Sequence, residues 1–190
     1  MDAIALEQMR QGHAFMAACC ALYLAWWVIF FWPKVGGGSA RGALRAVGVA
    51  AILGAVACGV LGAVRVCEGA AELAPAAATV RCLVGAVVLY LVFLAITQRA
   101  FQRQPTTELA LFVAWLGMEA CCALALGGIG ETGAAALVAA LAVVGFVVSL
   151  ACYVLYYRLG PLPSFVDGCI PLALIGTASV VVACCLPAAV

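Results

Sequence analysis

Six apolar runs, each about 20 residues long, constrain this chain more than any other feature of its sequence. Their bounds are 13–32, 44–64, 79–97, 109–127, 133–157 and 168–187. A helix needs about 20 apolar residues to cross a bilayer, and in lipid only helices and closed barrels satisfy their own backbone hydrogen bonds. The runs therefore predict an all-α integral membrane protein. We expect one compact bundle of six transmembrane helices over residues 1–190.

The composition supports a lipid environment. Hydrophobic residues make up 68% of the chain and charged residues 9%, whereas charged residues are about a quarter of a typical soluble domain. The net charge is +1, and no basic run is present that would favour nucleic acid as a partner.

The first apolar run is expected to be a retained helix and not a cleaved signal peptide. Residues 13–32 exceed the usual length of a signal core, about 7–15 residues. The stretch before them carries Asp2 and Glu7 against one basic residue, Arg10, which is the wrong charge for a signal peptide.

Positive charges in the short connections predict the orientation. One side holds six basic residues: Lys34, Arg41, Arg45, Arg99, Arg103 and Arg158. The other side holds three, which are Arg10, Arg65 and Arg81. Because Lys and Arg are enriched on the cytoplasmic side, we expect both termini to be extracytoplasmic, in a plasma or bacterial inner membrane.

A carboxylate in the fourth run is the leading candidate for a functional group. Glu119 lies in "WLGMEACCALALGG", about 16 Å along its helix at 1.5 Å per residue, and hence near the bilayer midplane. Helical spacing places it on one stripe, facing the bundle, with Phe112, Trp115, Cys122 and Leu126. Ionisable residues at this depth cost about 2.5–3.5 kcal/mol and usually mark a functional site.

The partner of Glu119 stays open at this point. Arg81 and His13 are the nearby cations, but both are expected nearer the outer surface than Glu119, so we predict a protonated, neutral Glu119. It then has either a structural role, bonded to a backbone carbonyl, Tyr90 or Thr177, or a role in a proton or cation relay. The candidate members of that relay besides Glu119 are Trp115, Cys122, Arg81, His13 and Tyr90.

Eleven cysteines invite three interpretations. The favoured one is that most are reduced and act as small apolar packing residues. A disulfide is an alternative, with Cys67 and Cys82 as the candidate pair because they bracket one outer connection. A soft-metal or thiol redox site that includes Met16 and Met118 is the least favoured.

No cofactor, metal or catalytic motif is recognisable. His13 is the sole histidine, which excludes bis-histidine haem ligation, and Lys34, the sole lysine, lies in a connection. The chain contains no C-x-x-C motif and no evident pairing of a nucleophile with a base, so we expect a protein that is not an enzyme, without cofactor or metal.

The sequence favours a small transporter or channel for a small or apolar solute, with coupling to protons or cations at Glu119. The alternative is a membrane anchor or assembly subunit, or a homodimer. In that case a small-residue ridge on the second helix would dock the partner: Gly54, Ala55, Cys58, Gly59 and Gly62.

The orientation can be tested with fusions after Val190. A phosphatase that is active only outside the cytoplasm should be active there, and a fluorescent protein that matures only inside should stay dark. The same fluorescent protein inserted after Gly38, in the first cytoplasmic connection, serves as the control and should be bright. Fluorescence without phosphatase activity at Val190 would contradict the predicted orientation.

Overall fold

The computed structural model describes residues 2–39, 42–102 and 107–186, and within them six helices are long and apolar enough to cross a membrane. They are α1 (Asp2–Val35), α2 (Gly42–Leu73), α3 (Ala76–Ile96), α4 (Thr107–Gly128), α5 (Thr132–Tyr156) and α6 (Pro161–Cys185). A π-helical turn, Thr97–Phe101, extends α3. The prediction of an all-α bundle of six membrane helices is confirmed.

Three helices are longer than the apolar runs predicted. α1 begins at Asp2 and not near residue 13, α2 continues to Leu73, and α6 begins at Pro161. Polar residues at the ends of a membrane helix lie in the interfacial region, where the backbone hydrogen-bond ladder continues after the apolar run has ended. Proline is also well suited to the first position of a helix, because its missing N–H has no partner there. Hydropathy therefore located the membrane spans but underestimated the lengths of these three helices.

α4 is the central helix of the bundle. It packs against α2, α3 and α5, and the predicted stripe of Phe112, Trp115, Glu119, Cys122 and Leu126 is buried. α3 is the most peripheral helix, since only 6% of its apolar window is buried. We call the end of the bundle where α1 begins the N-terminal face, and the other end the opposite face.

α1 and α2 approach each other closely through small residues. A Cβ added to Gly62 would lie 2.8 Å from the carbonyl oxygen of Gly12, and one added to Gly69 would lie 2.5 Å from that of Ala5. Gly59 faces Cys19 and Gly54 faces Leu22. The small-residue ridge on α2 therefore packs against α1. The expectation that it is an exposed docking surface was wrong, because close helix packing inside one chain uses the same small residues.

The close contact of α1 and α2 can be tested with a pair of glycine-to-alanine variants. Gly62→Ala should lower the melting temperature by several degrees, because overlap in a packed interface costs about 1–3 kcal/mol and each kcal/mol shifts the melting temperature by about 2–4 °C. Gly85→Ala in α3 is the control, since nothing lies within 4 Å of its added Cβ. Equal melting temperatures for the two purified variants would contradict the close approach of α1 and α2.

Candidate functional site

Glu119 lies inside the bundle with almost no exposure. Its side chain is 1% exposed, and its Oε1 atom has no hydrogen-bond partner. One turn away on α4, the fully buried ring of Trp115 packs against Gly145 of α5, and its Nε1 atom also lacks a partner. α4 therefore places two buried polar side chains in the apolar core, and each has an atom without a hydrogen-bond partner.

His13 of α1 is the partner of Glu119. Its Nε2 atom lies 3.1 Å from Oε2 of Glu119, and both side chains are buried. The sequence placed His13 nearer the surface because the apolar run starts there. Since α1 begins at Asp2, His13 is about 16 Å along its helix. Glu119 is about 14 Å from the end of α4 on the same face. The two residues are therefore level, and the expectation that His13 lies nearer the outer surface than Glu119 was wrong.

The hydrogen bonds of the His13 ring determine how many protons His13 and Glu119 hold together. Nδ1 lies 2.7 Å from the carbonyl oxygen of Met9. A carbonyl only accepts, so Nδ1 carries a hydrogen and donates it. In the neutral ring Nε2 then has only a lone pair, and an ionised Glu119 also only accepts. A hydrogen bond between Nε2 and Oε2 therefore needs one further proton, which the pair shares.

Cys122 lies beside this pair. Its Sγ atom and ligand atoms of His13 and Glu119 are all within 4.8 Å of one another. Nitrogen, oxygen and sulfur donors are those that zinc takes. Catalytic zinc sites use three protein ligands, but these three side chains do not make the four-ligand set of a structural zinc site. The three side chains also do not form a catalytic triad, which needs one ring nitrogen for the thiol and one for the carboxylate. Both nitrogens of His13 are already engaged, by Met9 and Glu119.

The other predicted partners of Glu119 are elsewhere. Arg81 is exposed near the start of α3, and Tyr90 is half-buried in a groove between α2, α3 and α4. No hydrogen bond joins either residue to Glu119.

Arg10 holds the N-terminal part of α1 in place, one turn from His13. Its guanidinium group pairs with Glu7 at 2.9 Å and donates at 3.3 Å to the carbonyl oxygens of Ala183 and Leu186. These bonds tie α1 to the C-terminal end of α6 and so help to fix the depth of His13.

All eleven cysteines are free thiols in the structure. No disulfide joins Cys67 to Cys82 in the structure, and Cys121 of α4 lies beside both of them. The Cys121 thiol also approaches the carbonyl oxygen of Thr79 at 3.9 Å. The three thiols therefore line the contact of α2, α3 and α4, in keeping with small apolar side chains that allow close packing.

A second polar site, which the sequence did not reveal, lies toward the opposite face. A cavity of about 20 Å³ is lined there by polar side chains of three helices: Glu108 of α4, Ser149 and Cys152 of α5, and Asp167 of α6. Oδ2 of Asp167 and Oγ of Ser149 are buried without a hydrogen-bond partner. The signal that could have indicated this site is Pro171, four residues after Asp167, which also lines the cavity.

An apolar groove of about 340 Å³ opens sideways between α2, α3 and α4. Met118, the neighbour of Glu119 in the chain, lines it together with Cys67 and Tyr90. Two consecutive residues of α4 therefore face the groove and the buried polar pair.

No family model, curated protein or solved structure matches this chain.

The thiols can be counted with a maleimide. We expect eleven reactive thiols in the denatured protein without prior reduction, and the same number after reduction. Nine in the unreduced sample would mean one disulfide and would contradict the free thiols. In the folded protein, the exposed Cys184 and Cys185 should react well before the buried Cys122.

Proposed function

We propose that this polytopic membrane protein is a transporter or channel for a small or apolar solute, coupled to protons at the His13–Glu119 pair. The observation that carries the proposal is the buried hydrogen bond between Nε2 of His13 and Oε2 of Glu119. In the orientation favoured by the positive charges, this pair is nearer the extracytoplasmic side.

Proton count and charge are coupled at this pair. With one shared proton the pair is neutral, whether the proton sits on Glu119 or on His13. Loss of that proton leaves a charge of −1, and gain of another leaves +1. A net charge buried in a low-dielectric core costs several kcal/mol. Each change in protonation therefore favours a different packing or a different access to water, which is how a proton can drive alternation between two states.

Buried polar atoms without partners support a route from the pair toward the opposite face. Nε1 of Trp115, Oγ of Ser149 and Oδ2 of Asp167 lie in the interior on α4, α5 and α6. Such atoms are rare in folded proteins, and each one calls for an explanation such as an internal water or a role in function. Water molecules between these groups would complete a path for protons.

The groove between α2, α3 and α4 supports an apolar solute. It is almost entirely apolar. α3, which forms one wall of it, is the helix with the least buried surface, so movement of α3 breaks few contacts. Because Met118 lines the groove and Glu119 faces the interior, rotation of α4 would link solute binding to the proton.

The anchor alternative has less support. Its predicted docking ridge on α2 is covered by α1. We also propose a role other than enzymatic catalysis, since neither ring nitrogen of His13 is available to activate Cys122.

The proposal can be tested in proteoliposomes loaded with a pH-sensitive dye. A potassium diffusion potential imposed with valinomycin should drive protons inward through the wild-type protein. Glu119→Gln keeps the shape of the side chain but cannot ionise, and should reduce this flux by at least about tenfold, as expected when a proton-transfer group is removed.

Glu131→Gln is the matched control, because Glu131 is an exposed carboxylate at the start of α5. It should retain the full flux. Wild-type flux no greater than that of empty liposomes, or full flux in folded Glu119→Gln protein, would overturn proton coupling at the pair.

A further inference from the structure

The small polar cavity near the opposite face has features of an ion site that the proton pair does not share. It lies between α4, α5 and α6, and its donors are mainly oxygen atoms. His13 and Glu119 take no part in it. The pair is nearer the N-terminal face, and Glu108 and Glu119 are about 16 Å apart along α4.

Asp167 is the central group of this cavity. Its side chain is 7% exposed, and Oδ2 has no hydrogen-bond partner. Asp167 forms no ion pair with a described basic residue. A buried carboxylate stays ionised only when a positive charge or several hydrogen bonds compensate it. Within the part of the chain that the structure describes, no basic side chain compensates the charge of Asp167.

Pro171 adds a backbone acceptor at the same place. It lies inside α6, where a proline has no N–H to donate to the carbonyl four residues earlier. That carbonyl belongs to Asp167, so one residue presents both a carboxylate and a carbonyl oxygen without a helical donor. α6 continues through Pro171, and backbone carbonyls that lack a helical donor are among the ligands that coordinate sodium ions in transporters.

Two hydroxyl groups supply further oxygen atoms. Ser149 is fully buried, and its Oγ atom has no partner. Tyr153 donates its hydroxyl hydrogen to Oγ1 of Thr97 at 3.2 Å, so its oxygen keeps a lone pair as an acceptor. Both residues line the cavity.

The size of the cavity limits what can enter. About 20 Å³ holds one water-sized particle. Mg²⁺ usually keeps several of its waters, and Ca²⁺ takes six to eight oxygen ligands, so neither fits this space and donor set. A single dehydrated monovalent ion does.

We propose that this cavity is a binding site for one sodium ion, held by the carboxylate and carbonyl oxygens of Asp167 and the hydroxyl oxygen of Ser149. Glu108, Tyr153 and Pro171 complete its surroundings. The site does not include His13 or Glu119, so sodium binding there does not require proton coupling at that pair, although Ser149 and Asp167 also lie on the proposed proton path.

The test is thermal stability of the purified protein in NaCl against choline chloride at equal ionic strength. A ligand that binds only the folded state stabilises it by mass action, so saturating sodium should raise the melting temperature by at least about 3 °C. Asp167→Asn should abolish this rise. Glu131→Gln, with its exposed carboxylate, should retain it. Glu119→Gln should also retain it, whatever the result of the proton-flux experiment.

Pro171→Ala separates ion binding from a structural role of Asp167. It restores the N–H that can bond to the Asp167 carbonyl, so it should raise the melting temperature in choline chloride. It should also shift the sodium response to higher concentrations. If Asp167→Asn does not fold, Pro171→Ala and Ser149→Ala still provide the test.

Equal melting temperatures of the wild-type protein in NaCl and choline chloride would overturn the proposal, as would an undiminished sodium response in Asp167→Asn. Stability that depends on pH and not on sodium would assign the cavity to a proton and would overturn it too.

Discussion

The absence of water in the core of a membrane protein governs this structure. A carboxylate and an imidazole in that core are stabilised by a hydrogen bond to each other, because lipid offers neither a hydrogen bond nor a counter-charge. Glu119 and His13 meet this requirement although they are 106 positions apart in the chain. The requirement then determines how α1 must sit against α4: its twelfth residue has to lie level with the middle of the central helix.

The packing of α1 serves that placement. Close contact of Gly12 with Gly62 of α2 sets its distance from the bundle, and the bonds of Arg10 to the end of α6 set its depth. Glu119 and Phe112 belong to the same buried stripe of α4. Glu119 lies nearer the N-terminal face, and Phe112 lines the cavity of Asp167. The proton pair and the proposed sodium site are thus two polar places along one helix in an otherwise apolar bundle.

The sequence predicted what depends on composition and helical period. Six apolar runs located the spans, and i, i+3 and i+4 spacing identified the stripe that buries Glu119. It did not predict what depends on helix length or on contacts between helices. His13 marks the edge of an apolar run but lies well inside a helix that begins at Asp2. Asp167 directly precedes the sixth apolar run, which starts at residue 168, whereas α6 begins at Pro161 and includes it. No local pattern pairs Gly62 with Gly12.

One measurement tests the account most directly, because the chain contains a single histidine. Nitrogen-15 NMR of protein labelled at histidine reports both nitrogens of the His13 ring without assignment. We expect a protonated, hydrogen-bonded Nδ1 in the wild-type protein, and an Nε2 signal that shifts in Glu119→Gln but not in Glu131→Gln. A ring that titrates like a free imidazole, with spectra unchanged in Glu119→Gln, would contradict a buried pair that shares one proton.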